Sequence, residues 1–152
     1  MTLERYIELI KEFAAADPDL LHVEGKRDAV FSVDYDEAVN ILADIPNRMV
    51  LLLPPYDKHI YHNNAMGNVW IKNGLVMAVQ NVETGDHKGR VKIQSKAEQV
   101  LDRLYNFLFH KRNTNELYGF DPTSWEADGI GPVGTSHYGY SAELAIKDGV
   151  VL

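Results

Sequence analysis

The sequence predicts an α+β fold: a mixed or antiparallel sheet with a β-hairpin, an N-terminal helix, and one long helix packed on the sheet. Three observations carry that expectation. Apolar residues recur at steps of three and four over residues 3–14 and again over 93–109, the period of a helix with one buried stripe. Residues 49–53, MVLLL, are apolar at successive positions, as in a strand covered on both faces. Asn73-Gly74 lies between NVWIK and LVMAV, and this dipeptide signals a type I′ hairpin because both turn positions need positive φ. A hairpin is antiparallel by construction, so the sheet is not wholly parallel.

Taken in order, the first helix shows Leu3, Tyr6, Ile7, Leu9, Ile10, Phe13 and Ala14 on one stripe. Thr2 caps it without the reciprocal Glu or Gln of a full capping box. Asp17-Pro18 stops it, since a residue before proline avoids helical geometry. A short strand is expected over residues 28–33. Asp34 or Asp36 then caps a brief helix reaching Ala43, with Val39, Ile41 and Leu42 turned inward. Pro54-Pro55 ends the MVLLL strand. Residues 54–67, rich in Tyr, His and Asn, read as a long irregular loop, a kind of segment that is usually functional. Residues 83–89 read as a polar loop before the longest helix. Beyond Asn115, short β-like runs alternate with Gly/Pro turns around 129–134. The expected order is α–β–α–β–β–β–α–β–β in one domain, 1–152, with no internal repeat.

Composition narrows the function classes. The chain has 152 residues and a formal charge of −7, which argues against a general nucleic-acid binder because phosphate contacts need clustered cations, and no direct sequence-specific nucleic-acid binding is expected. No apolar run approaches the roughly 18–20 residues of a membrane span. The charged start, MTLERYIELIKEF, offers no signal-peptide core. With no cysteine, a disulfide scaffold, thiolate zinc and a cysteine nucleophile are excluded. The segment from Asp86 to Arg112 is net +4, so the rest of the chain is strongly acidic.

Few residues suggest reaction chemistry. Asp57, His59 and His62 could form a divalent-metal or acid/base centre, but no HExxH pattern or further ligand spacing supports it. Thr135-Ser136-His137 puts a hydroxyl beside an imidazole, which adjacency alone does not make a triad. The glycines at 129, 131 and 134 echo a phosphate loop, yet they follow no strand-to-helix junction and Pro132 removes a donor. The expectation is therefore a chain with no catalytic residue, no metal and no cofactor.

The aromatics point elsewhere. Tyr56, Tyr61, Tyr118, Tyr138, Tyr140, Trp70 and Trp125 fall in or beside loops and strand ends, and Tyr and Trp gather at protein interfaces. An acidic body with one basic helix suits heterologous contacts between identical neighbours, where opposite charges meet around a ring. The two polar loops are the expected contact surfaces: Tyr56, Lys58, His59, Tyr61, His62, Asn63 and Asn64 in the first, and Asp86, His87 and Lys88 in the second.

The order of segments also carries a resemblance. An amphipathic first helix is followed by DAVFSVDYDEAVNIL (28–42), RMVLLLPPY (48–56), NVWIKNGLVMAVQNVETGDHKGRVKIQSKAEQVLDRLYNFL (68–108) and GPVGTSHYGYSAELAI (131–146). In this arrangement the chain resembles the tail-terminator and tail-completion proteins of tailed phages and phage-like contractile tails, as found in prophages of the Bacteroidetes type. The likeness covers most of the chain and assigns no contact residue. It implies an α+β subunit of a homo-oligomeric ring, commonly a hexamer, that caps the tail tube and meets the neck or sheath. It also implies a place in the tail of a virion or phage-like particle, with synthesis in the host cytoplasm and no membrane partner. Two alternatives stay open: a small enzyme built on Asp57, His59 and His62, and an acidic cytoplasmic adaptor that masks a basic partner.

Overall fold

The computed structural model describes residues 1–45, 47–63 and 67–149. Its elements are α1 (Leu3–Ala16), β1 (Val30–Phe31), α2 (Tyr35–Leu42), β2 (Val50–Leu52), β3 (Asp57–Asn63), β4 (Gly67–Asn81), α3 (His87–Asn113), β5 (Phe120–Val133) and β6 (His137–Gly149). The six strands form one sheet in the order β1-β2-β4-β6-β5, with β3 also paired to β4. The β1–β2 pair is parallel and the others are antiparallel, so the fold is α+β with a mixed sheet.

Local sequence explains the helices. The Thr2 hydroxyl accepts the Arg5 N–H at 3.1 Å, and Asp17 closes α1 in extended geometry ahead of Pro18. Asp34 caps α2 by accepting the Glu37 N–H at 2.9 Å. Asp86 does the same for α3 through the Gly89 N–H, also at 2.9 Å. His110, Lys111 and Arg112 occupy the last turn of α3, where cations favour the helix dipole.

The sheet has two unlike faces, set by strand parity. One face is covered by α1 and α3: Leu51, Val76, Ala78, Ala142 and Leu144 meet Tyr6, Leu9, Phe13, Leu101 and Leu104 in the main core. The other is covered only in part, where Ala38, Leu42 and Ile45 pack on Val50, Leu52, Met77, Val79 and Val133. β2 alternates between the two cores and every residue of 49–53 is at most 1% exposed, as its unbroken apolar run predicts.

Four expectations are corrected. Asn73-Gly74 is no turn: both lie inside β4, a single 15-residue strand, and neither has positive φ. Asn73 pairs with Asp57 on one side and Ala145 on the other. Glycine stands at 74 for space, since a Cβ there would lie 2.9 Å from the Tyr6 hydroxyl. Second, residues 57–63 of the expected long loop are strand β3. The connection from β3 to β4 falls outside the described residues. Third, β5 continues through Gly129–Pro132, so the turn is confined to residues 134–136. Fourth, two bounds shift: the strand expected over 28–33 shortens to Val30–Phe31, and α3 begins at His87, taking the last three residues of the expected 83–89 loop. The order of helices and strands agrees with expectation, although the third and fourth strands are not the two arms foreseen.

Two substitutions test this packing. The Tyr6 hydroxyl is buried without a partner, so Tyr6→Phe is expected to leave stability unchanged or raise it by about 1 kcal/mol, read as the urea midpoint. A Cβ at Gly139 would overlap the Ala78 carbonyl across the β4–β6 ladder, so Gly139→Ala is expected to cost about 1–3 kcal/mol or more.

Candidate functional site

β3 pairs with the first half of β4 without a register break, from Asp57 opposite Asn73 to Asn63 opposite Gly67. Its residues from 57 to 61 are all exposed. Alternation places Asp57, His59 and Tyr61 on the sheet face that α2 leaves open, and Lys58 and Ile60 on the other. Ile60 is 41% exposed and Tyr61 54%, so a large apolar group meets water on each face. Lys58 Nζ lies 4.3 Å above the Trp70 ring, and His59 Nδ1 is 3.4 Å from the Asn73 amide.

The open face continues inward from β3. A shallow groove of about 390 Å³ is lined there by Asp57, Asn73, Leu75, Ser124, Glu126 and Glu143. Asp121, on the same face, pairs with Lys147 at 3.0 Å. Its carboxyl is held below the usual range by the Thr123 hydroxyl first and Lys147 second.

The expected contact residues divide between two places. Tyr56 is half-buried and turns inward, its ring meeting Tyr6 edge-on at 5.6 Å. Lys58, His59 and Tyr61 are on exposed β3, which also includes the backbone of His62 and Asn63. Asn64 lies outside the described residues. Asp86, His87 and Lys88 start α3, just beyond the far end of β4. Eight residues of extended chain separate Asn73 from Asn81, roughly 26 Å, so the structure does not unite the two groups.

Of the expected Asp57, His59 and His62 centre, Asp57 and His59 share one face of β3, and the side chain of His62 lies outside the described residues. A cluster that sequence spacing missed is His22, Glu24 and Asp28, whose ligand-type atoms lie within 4.8 Å of one another. The ring of His22 is fully engaged there. Its Nδ1 accepts the Ala29 N–H at 2.9 Å, so the neutral ring carries its proton on Nε2 and donates it to Glu24, also at 2.9 Å. That leaves Nε2 no lone pair for a cation. Lys11 is the first cause, and His22 the second, holding Glu24 below its ordinary value. The cluster fastens the loop between α1 and β1.

A second concavity, of about 350 Å³, separates α2 from the β5–β6 turn and is lined by Asn40, Leu42, Ile45, Asn81, Ser136 and His137. The Ser136 hydroxyl donates to Asn81 Oδ1 at 2.6 Å. It is thus turned to an amide instead of an imidazole. His137 is 5% exposed with Nε2 unpartnered, and burial lowers its pKa against the opposing effect of the Ile45 carbonyl.

Three of the seven Lys and Arg residues of α3 are engaged within the molecule. Arg103 donates to Asp17 at 2.6 Å and Asp19 at 2.8 Å, Lys111 pairs with Glu12 and Glu116 at 3.0 and 2.7 Å, and Lys96 bonds Gln80 at 3.0 Å. No helix among the described residues is long and apolar enough to cross a membrane. No family model matches the chain, and no curated protein is similar to it.

His137 gives a pH expectation. An unfolded histidine takes up a proton near pH 6.5, whereas the buried ring resists it. The unfolded state then binds more protons, so stability falls as pH drops through about 6.5. The urea midpoint of the native chain is expected to fall between pH 7.5 and 5.5 by more than that of His137→Asn; equal slopes would remove His137 as the cause.

Proposed function

We propose that this chain is a structural subunit of a phage or phage-like tail. Its copies assemble into a ring that terminates or completes the tail tube and joins it to the neck or sheath. The observation that carries an assembly role is the strand β3 with the sheet face beside it. An element that holds Ile60 out on one side and Tyr61 out on the other is finished by a neighbour, because single domains seldom leave such strands uncovered. The tail setting comes from the order of segments, in which helix, strand–helix, strand, long paired segment, long helix and closing strand follow one another as in tail-terminator proteins.

In this reading the work of the molecule is contact, and its partners are its own copies, the tail tube protein and a neck or sheath protein. The concave places suit that role. The groove beside β3 is shallow and polar, and the cleft at His137 contains a serine already engaged with an amide.

The test is the native mass. Light scattering over a wide concentration range is expected to give a discrete multiple of the 17.2 kDa chain, with rings visible by negative-stain electron microscopy. Added to growing tail tubes that lack their end ring, the protein is expected to stop elongation. A monomer at every concentration, with no effect on tubes, would overturn the proposal.

A further inference from the structure

Three strands leave an outer edge among the described residues, and they differ. β1 is two residues long. β5 contains Pro122 and Pro132, and its register against β6 shifts between Asp121 and Glu126 and again between Ile130 and Val133. Shortness, proline, irregularity and charge are means by which an edge is kept from pairing with another chain. β3 has none of the first three and carries only the charges of Asp57 and Lys58, both at its start. Its seven residues, DKHIYHN, contain no proline, and their register against β4 is continuous.

We infer that β3 pairs with β3 of a second copy, antiparallel, about a twofold axis through Ile60. The inference rests on the assembly reading above and names its contact. Axis position follows from length, since only a centre at Ile60 lets all seven residues find a partner. Ile60 then faces Ile60, His59 faces Tyr61, Lys58 faces position 62 and Asp57 faces position 63. Charge selects the direction. Parallel, in-register pairing would set Asp57 beside Asp57 and Lys58 beside Lys58, and like charges directly opposite are destabilising. Antiparallel pairing sends the two charged residues of each strand to opposite ends of the contact. Apolar gain falls on both faces, with Ile60 on its own copy and Tyr61 on His59. The contact is self-complementary and closed, so it joins copies in twos and is distinct from the head-to-tail contacts that close a ring with unlike faces.

The absence of cysteine makes a clean test. In Ile60→Cys the new thiol meets its own copy at the axis. Directly opposite Cα atoms in an antiparallel pair are about 4.5–5.5 Å apart, within disulfide range. Mild oxidation is expected to convert most of this variant to a covalent dimer on a non-reducing gel. In Asp57→Cys the two thiols are roughly 20 Å apart across the pair, and that variant is expected to stay single. Ile60→Lys, which sets like charges on the axis, is expected to weaken self-association at least tenfold while the circular dichroism spectrum is unchanged. Equal cross-linking of the two cysteine variants, in a chain that still assembles, would overturn this contact and leave the assembly role standing. A native chain that is monomeric throughout would overturn both.

Discussion

The constraint on which the rest depends is the ladder between β4 and β6, thirteen register pairs running from Val69–Gly149 to Asn81–His137. A ladder of that length is about 40 Å or more, longer than one small helix can cover. α1 and α3 together cover one face, giving the main core. α2, with eight residues, covers only the end of the other face near β2. The sheet is thus finished on one side and half-finished on the other. β3 lies on the same side of β4 as β2, because the chain that leaves β2 at Pro54 carries on in the same direction beside β4 and pairs with its first half.

Electrostatics follow from the same geometry. α3 crosses the sheet beside α1, so its cations face the acids at the end and the rim of α1. Asp17 is the centre of this contact. It ends α1, is 3% exposed, and receives Arg103 through both carboxylate oxygens at 2.6 and 3.2 Å. A buried carboxylate needs such a partner, because desolvation without one is costly. At the far end of the sheet Lys72, 4% exposed, donates to Asp148 at 2.5 Å and to the Met1 carbonyl, which holds the start of α1 against β4 and β6. The basic helix read from composition is therefore in part an internal fastening, and Lys88, Arg90 and Lys92 near its start and Arg112 at its end are the cations it leaves without an ion pair among the described residues.

What was legible in the sequence was whatever has a local cause. The apolar stripes of α1 and α3, the caps at Thr2 and Asp34 and the stop at Pro18 depend on residues within a turn of one another, and all are observed. The unbroken run at 49–53 correctly foretold a strand between two cores. Asn73-Gly74 misled because its cause is distant. The glycine answers to Tyr6, 68 positions earlier in the chain, and the asparagine sits between two neighbouring strands. β3 was unreadable for a related reason. Alternation arises when one face is buried, and a strand exposed on both faces has no such pattern to show. Of the contact residues named from sequence, Tyr56 is turned to the core and Asp86 is used as a helix cap.

The polar sequence of β3 has a physical meaning once its place is known. A long edge of Val and Ile would bind any exposed strand it met, whereas a run with Asp57, Lys58 and His59 before Ile60 disfavours most partners by charge and solvation. In the proposed pairing, selectivity comes from the few arrangements in which those charges avoid each other and the apolar groups meet. Irregularity at β5 acts in the complementary way, by denying pairing altogether. A sheet with its β5 edge closed by distortion and its β3 edge left regular but charged presents a directed surface, and the open face beside β3 carries the carboxylates of Asp57, Glu126 and Glu143 toward β5.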